Sequence, residues 1–348
     1  MKKKNTLKNI VILRTDRIGE VLLSTVAVSA LKKKYPDLRV SFVTSVYSSP
    51  LLEGRTDIAR VIETDTLGGG SVLLKAIKLS FILRKGRFDS ALIMNPHKML
   101  HLACYLAGIP ERAGYDRKWG FLLTSKIADK RDEGLKHEIE YAYDLLKLLG
   151  VEEKAEGPIL SVSEKEERSL TDKLAKKGIS EKEPFAVIFP GSSNPSKRWP
   201  ENRFTELIQR MEKELGLRAV VSGGSGEEDL VRDIAREADG NTVSFSYELD
   251  LREIAVLLKR SRVFIGNDTG PMHMAAALKT PVIAIFGRNI PGVGPVRWRP
   301  WGEGHIVFHE DAGCGVCRDA ECPEGYKCMD AVTVEAVFGA AKKILGEG

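Results

Sequence analysis

Short apolar runs and amphipathic stretches alternate along the chain in two series, with a charged interruption between them. In the first series, residues 9–14, 39–44, 60–63, 89–94 and 112–115 read as strands. Residues 21–34, 72–84, 99–106 and 137–149 carry apolar positions at helical spacing, as with Ile139, Ala142, Leu145, Leu146 and Leu149. The second series has strands at 185–189, 217–222, 242–245, 263–265, 282–286 and 305–308. Its helices fall at 201–215, 227–238, 251–259, 272–278 and 334–345. The run Val263-Phe264-Ile265 is apolar throughout, as in a parallel strand covered on both faces. Strand–helix alternation predicts an α/β fold. The interruption, 150–184, is rich in Glu and Lys and holds one charged helix, 164–177. It predicts two domains, 1–160 and 161–330, followed by a terminal helix in 331–348. Two doubly wound domains in tandem are expected to turn their strand ends to a common cleft, where ligands of such sheets bind.

The clearest chemistry lies in 263–287, VFIGNDTGPMHMAAALKTPVIAIFG, a strand, turn, helix and strand in succession. Pro271 suits a first helical position, where its missing N–H would be unsatisfied anyway. A helix start beyond a strand end directs free N–H groups at an anion. Thr269 and Gly270 are therefore candidate diphosphate donors. Asp268 reads as the helix N-cap or as part of the ligand turn, and His273 falls on the first helical turn. Lys197 lies in the polar loop 190–200, PGSSNPSKRWP, after the first strand of the second series, where it could neutralise a phosphate as a point charge. Glu227 follows the glycine-rich 223–226 and either favours the helix dipole or accepts from a ribose hydroxyl.

In the first series, the turn 14–20, RTDRIGE, puts Glu20 after the first strand as a candidate base, with Asp16 as a competing carboxylate. Both also suit helix capping. Arg14 and Arg17 either bind an anionic group or pair with these acids. The turn has one glycine where a dinucleotide fingerprint needs three, and no Walker loop occurs, which argues against a dehydrogenase and an ATPase.

Charge changes the picture of the partners. Residues 1–150 carry 26 basic and 16 acidic side chains and the remainder 27 and 32, so the excess of cations is confined to the first half. That suggests an anionic partner there: a phosphorylated substrate, an anionic lipid or nucleic acid. No apolar run approaches the roughly 20 residues of a membrane span, and 10–13 is too short for a signal-peptide core, so a soluble, cytoplasmic protein is expected. Cys314, Cys317, Cys322 and Cys328 lie close enough in sequence to surround one metal ion, as a structural zinc or iron–sulfur site, or to be plain thiols or a loop clip.

Taken together, ILRTDRIGEVLLSTVAVSALKKKYP, the middle segment KRWPENRF and GNDTGPMHMAAALKTPVIAIFG resemble the ADP-heptose:lipopolysaccharide heptosyltransferases, glycosyltransferase family 9. The resemblance covers nearly the whole chain. It implies a GT-B fold, two Rossmann-like domains facing a cleft, with the last helix packing back on the N-terminal domain. It implies inverting transfer of a heptose or related sugar from an ADP-sugar, with no cofactor required for catalysis. Glu20 falls where the family usually has an aspartate base. Lys197 matches its phosphate-binding lysine; Asp268, Thr269, Gly270 and His273 match its donor-binding turn; Glu227 falls near its nucleoside-contacting acid. The expected partners are a nucleotide-sugar donor and a phosphorylated inner-core glycolipid, not nucleic acid. Arg14 and Arg17 fall on the acceptor side, with peripheral contact at the inner face of the membrane. An epimerase of the same architecture and a non-catalytic sugar-nucleotide module are the alternatives.

Overall fold

A computed structural model describes residues 7–65, 68–238, 240–315, 317 and 322–346. The chain divides into two compact units. The first comprises Met1–Asp132 with Lys136–Ser161, and the second Glu133–Leu135 with Val162–Gly348.

The first unit holds β1 (Asn9–Leu13), α1 (Ile18–Ser24), α2 (Val26–Lys34), β2 (Arg39–Thr44), β3 (Arg60–Glu63), α3 (Val72–Gly86) and β4 (Ser90–Ile93). It continues with α4 (Lys98–Leu106), β5 (Glu111–Tyr115), β6 (Ser125–Ile127) and α5 (Glu138–Lys147). Its six parallel strands run in the order β3-β2-β1-β4-β5-β6. β1 pairs with β2 (Ile12 opposite Phe42) and with β4 (Ile12 opposite Leu92), so the connectivity reverses between β1 and β4. That reversal opens the crevice in which doubly wound sheets bind ligands. Val11, Leu13, Val43, Ala91 and Ile93 pack against Leu79 and Leu83 of α3 and Leu100 and Cys104 of α4.

The second unit repeats the plan. It contains α6 (Glu164–Lys176), β7 (Phe185–Phe189), α7 (Glu201–Leu215), β8 (Arg218–Gly223), α8 (Glu228–Ala238), β9 (Val243–Ser246) and α9 (Leu251–Arg260). β10 (Val263–Asn267), α10 (Gly270–Ala277), β11 (Val282–Phe286), α11 (Pro295–Trp298), β12 (Ile306–His309), α12 (Lys327–Ala331) and α13 (Val334–Leu345) complete it. Its strands, also parallel, run β12-β11-β10-β7-β8-β9, the same winding with the reversal between β7 and β10. The units are thus two Rossmann-like domains in tandem, the pair from which GT-B proteins are built. The charged helix of the interruption, α6, belongs here. Arg252 bonds Glu166 at 2.9 Å and Lys173 bonds Glu253 at 2.7 Å, fixing α6 to α9.

Two expectations are corrected. The long helix at 21–34 is two helices that start earlier, at Ile18, and break at Thr25. The Thr25 hydroxyl donates to the Leu22 carbonyl at 2.7 Å, a local bond that competes with the helical ladder. A sixth strand, β6, was not foreseen. In the terminal helix, Val337, Phe338 and Ala341 of α13 are buried in the second core with Phe204, Ile208 and Met211 of α7. Arg203 of α7 holds the approach to α13 by donating to the carbonyls of Asp330 and Val332, each at 2.6 Å. Among the described residues, no helix is long and apolar enough to cross a membrane.

Candidate active site

The singled-out residues fall into two groups, one at the strand reversal of each unit. In the second unit, the polar loop after β7 is fastened to the end of β10 by Asn267, which is fully buried. Its amide donates to the Pro190 carbonyl at 2.7 Å and its oxygen accepts from the Trp199 N–H at 3.0 Å, gripping the loop at both ends. The Trp199 ring is buried edge-on to Phe204 and donates to the Val332 carbonyl at 2.8 Å. Within this frame Lys197 reaches Asp268, Nζ to carboxylate 2.5 Å, both side chains largely buried. Asp268 is therefore not the helix cap. Thr269 occupies that position with extended backbone and makes no capping bond through its side chain, and α10 begins at Gly270. The hydroxyl of Thr269 donates instead to the Asn267 carbonyl at 3.2 Å.

Glu227 precedes α8 instead of opening it. Its carboxylate turns back to accept from the Gly224 N–H at 2.8 Å. It also lies against Gly191: a Cβ built there would stand 2.0 Å from the Glu227 carboxyl carbon. Glycine at 191 thus lets the β7 loop pass directly against the Glu227 carboxylate after β8. Gly266 has a comparable role in the sheet, where a Cβ would meet the Phe189 carbonyl at 2.6 Å. His273 is buried in α10, tilted against the Trp298 ring at 6.2 Å. This arrangement presents an ammonium, a helix start and a carboxylate at the carboxyl ends of three parallel strands, which suits a diphosphate carrying a hydroxylated group.

In the first unit, Glu20 lies half-buried in the first turn of α1. Burial pushes its carboxyl above the usual carboxylate range, and Asp16 pushes it further, against the opposing pull of Arg14 and Arg17. Arg17 is exposed. Arg14 is not. It is 3% exposed, bonded to Asp16 at 2.7 Å and to Glu138 at 3.0 Å, and it donates to the Met94 carbonyl at 3.3 Å. Of the two readings of Arg14, ion pairing is the one the geometry favours over acceptor binding. Burial alone would depress its guanidinium, but Asp16, Glu138 and Glu20 outweigh that and hold the proton firmly.

Glu138 opens a network the sequence did not suggest. Arg131 approaches the same carboxylate at 3.7 Å, forks onto Asp129 at 2.8 and 2.9 Å, and covers the Tyr115 ring at 4.1 Å. Burial would raise the Asp129 carboxyl, yet the bonds from Arg131 hold it at about 2. The chain Asp16–Arg14–Glu138–Arg131–Asp129 thus runs across the ends of β1, β4, β5 and β6.

The four clustered cysteines are free thiols, Cys314 exposed and Cys317, Cys322 and Cys328 half-buried. Among the described residues, no group of three or more His, Cys, Asp or Glu side chains is arranged to hold a metal ion. Cys317 instead accepts from the Asn289 N–H at 3.2 Å.

Comparison with known proteins agrees with this architecture. The model of glycosyltransferase family 9 (heptosyltransferase) matches residues 77–327. Lipopolysaccharide heptosyltransferase 3 of Escherichia coli is 25% identical over 338 residues, covering 94% of this chain and 96% of that protein. The structure of E. coli ADP-heptose lps heptosyltransferase II matches with a TM-score of 0.80 at 23% identity, over 98% of this chain and 99% of that one. A glycosyl transferase family 9 structure from Veillonella parvula matches with a TM-score of 0.85 at 21% identity, over 98% of both chains.

Proposed function

The chain belongs to glycosyltransferase family 9, the heptosyltransferase family, and from that premise we propose that it moves a heptose from ADP-heptose to a phosphorylated inner-core acceptor of lipopolysaccharide. The observation that carries this reading is Lys197, held by Asp268 within the Asn267-fastened loop at the strand reversal of the second unit. That unit takes the donor. Lys197 and the N–H groups at the start of α10 receive the diphosphate, with Glu227 on a ribose hydroxyl. The first unit supplies the base. The Glu20 carboxylate removes the proton of an acceptor hydroxyl as that oxygen bonds the anomeric carbon. The bond from that carbon to the diphosphate breaks on the opposite face, and the electron pair leaves with ADP. The configuration inverts. Electrostatic help goes chiefly to the departing diphosphate, where charge develops. A base whose pKa lies above the ordinary carboxylate range is better matched to a hydroxyl proton than an ordinary glutamate.

The acceptor is a glycolipid on this reading, so the protein works in peripheral contact with a membrane, and the basic first half is the side that suits its phosphates.

ADP release from ADP-heptose, followed with and without a deep-truncated lipopolysaccharide acceptor, tests the reading. Acceptor-dependent release with a product one heptose heavier is expected. Donor consumption indifferent to acceptor would favour an epimerase, and binding of ADP-heptose without turnover a non-catalytic module; either would sink the proposal.

A further inference from the structure

Helix α3 of the first unit carries Lys75, Lys78, Arg84 and Lys85 and no acidic residue. Its inner side is settled: Ala76, Leu79 and Leu83 lie in the first core. On the opposite side Leu74, Lys78, Phe81 and Lys85 follow one another at spacings of four, three and four. They form a single ridge about 16 Å long. Leu74 and Phe81 are each 61% exposed. Lys78 and Lys85 are exposed too, and among the described residues neither has an ionic or hydrogen-bonded partner. Arg84 donates to the Leu106 carbonyl at 2.6 Å, which brings the end of α4 against the last turn of α3. There Tyr105 is 53% exposed, with the Arg112 guanidinium over its ring.

Single apolar residues on a surface need no explanation. An aligned ridge of large apolar side chains whose only charges are cationic is a different object, since it meets both requirements of an anionic lipid interface at once. A second copy of the same ridge would set Lys78 and Lys85 against their own kind, which disfavours self-association through it. A rigid acidic protein would satisfy the lysines and leave Leu74 and Phe81 without an apolar bed.

We infer that the outer side of α3 docks on an anionic bilayer, with Leu74 and Phe81 entering the boundary between headgroups and acyl chains, Lys78 and Lys85 on lipid phosphates, and Tyr105 at the headgroup level. The inference rests on the glycolipid reading of the acceptor for its purpose, but its geometry is independent of the chemistry.

Cosedimentation of the full chain with vesicles of phosphatidylcholine, and with mixed phosphatidylcholine–phosphatidylglycerol vesicles, tests it. Partition onto the mixed vesicles is expected, weakened by salt. The L74E/F81E variant should lose about tenfold or more of that partition, and K78E/K85E should also lose affinity. Both variants should keep the wild-type thermal response to ADP, which reports an intact second unit. Absence of binding to the mixed vesicles, or equal partition of L74E/F81E and the wild-type chain, overturns the inference. So does a change in oligomeric state of that variant with unchanged vesicle binding, which would assign the ridge to another copy. A chain that transfers no sugar yet binds these vesicles through the ridge defeats the functional reading and leaves this surface standing.

Discussion

Replacing Glu20 by glutamine separates chemistry from stability at one position. Activity should fall about a hundredfold or more, the ordinary contribution of a positioned base, while Glu20→Asp, which restores the family's usual carboxylate, should retain more. Folding raises the Glu20 pKa. The folded chain therefore holds that proton more tightly than the unfolded chain, and stability is lost as pH rises through the interval between the two values. At neutral pH Glu20→Gln should melt no lower than the wild-type chain, and a clear drop in its melting temperature would contradict the burial assigned to this carboxylate. The wild-type profile of kcat/KM should have an acid limb above the ordinary glutamate value of about 4.3, and that limb should vanish in Glu20→Gln. On the donor side, Lys197→Ala should weaken ADP binding about tenfold or more, as loss of a charge-assisted contact does, measurable by calorimetry.

Among the elements, the β7 loop offers a test that leaves the core alone. Gly191→Ala puts a methyl where the Glu227 carboxylate lies. Glu227 must swing away, so affinity for ADP should drop while the melting temperature hardly moves. If ADP binds Gly191→Ala unchanged, Glu227 has no part in nucleoside recognition. The strands around this loop were legible in the sequence because runs such as Phe185–Phe189 and Val282–Phe286 are buried along their whole length and so contain nothing but apolar residues. β6 was not, because Ser125–Ile127 is a short strand at the edge of its sheet, with no fully buried residue and a lysine in the middle. Lys197 and the turn at Asp268 were readable from their positions after strands. The direct ion pair between them was not, since no spacing encodes a contact over 71 residues. The network of Arg14, Glu138, Arg131 and Asp129 was invisible for the same reason, and because Asp129 and Arg131 follow the strand that was missed.

For the molecule as a whole, the two units give thermal unfolding two addresses. ADP should raise the transition of the second unit. Phe338→Ala should lower that same transition by about 3 kcal/mol or more, because α13 is buried in the second core. If the substitution lowers only a transition that ADP does not touch, α13 has been assigned to the wrong unit. The first unit hinges on its buried charges. Glu138→Gln strips Arg14 and Arg131 of their shared carboxylate and should cost about 3 kcal/mol in a urea titration. The span of that pairing matters for the order in which the chain is made. Arg14 leaves the ribosome 124 residues ahead of Glu138, so through most of the synthesis of the first unit a guanidinium destined for the interior has no Glu138 to meet. The nascent sheet can gather its strands, yet it cannot close over Arg14 without burying an undercompensated charge. A fragment ending at residue 135 should therefore stay protease-sensitive, whereas one ending at residue 161 should become resistant. In this sense Glu138 acts as a late checkpoint, a residue whose arrival on the ribosome licenses the closure of a fold begun at the first strand.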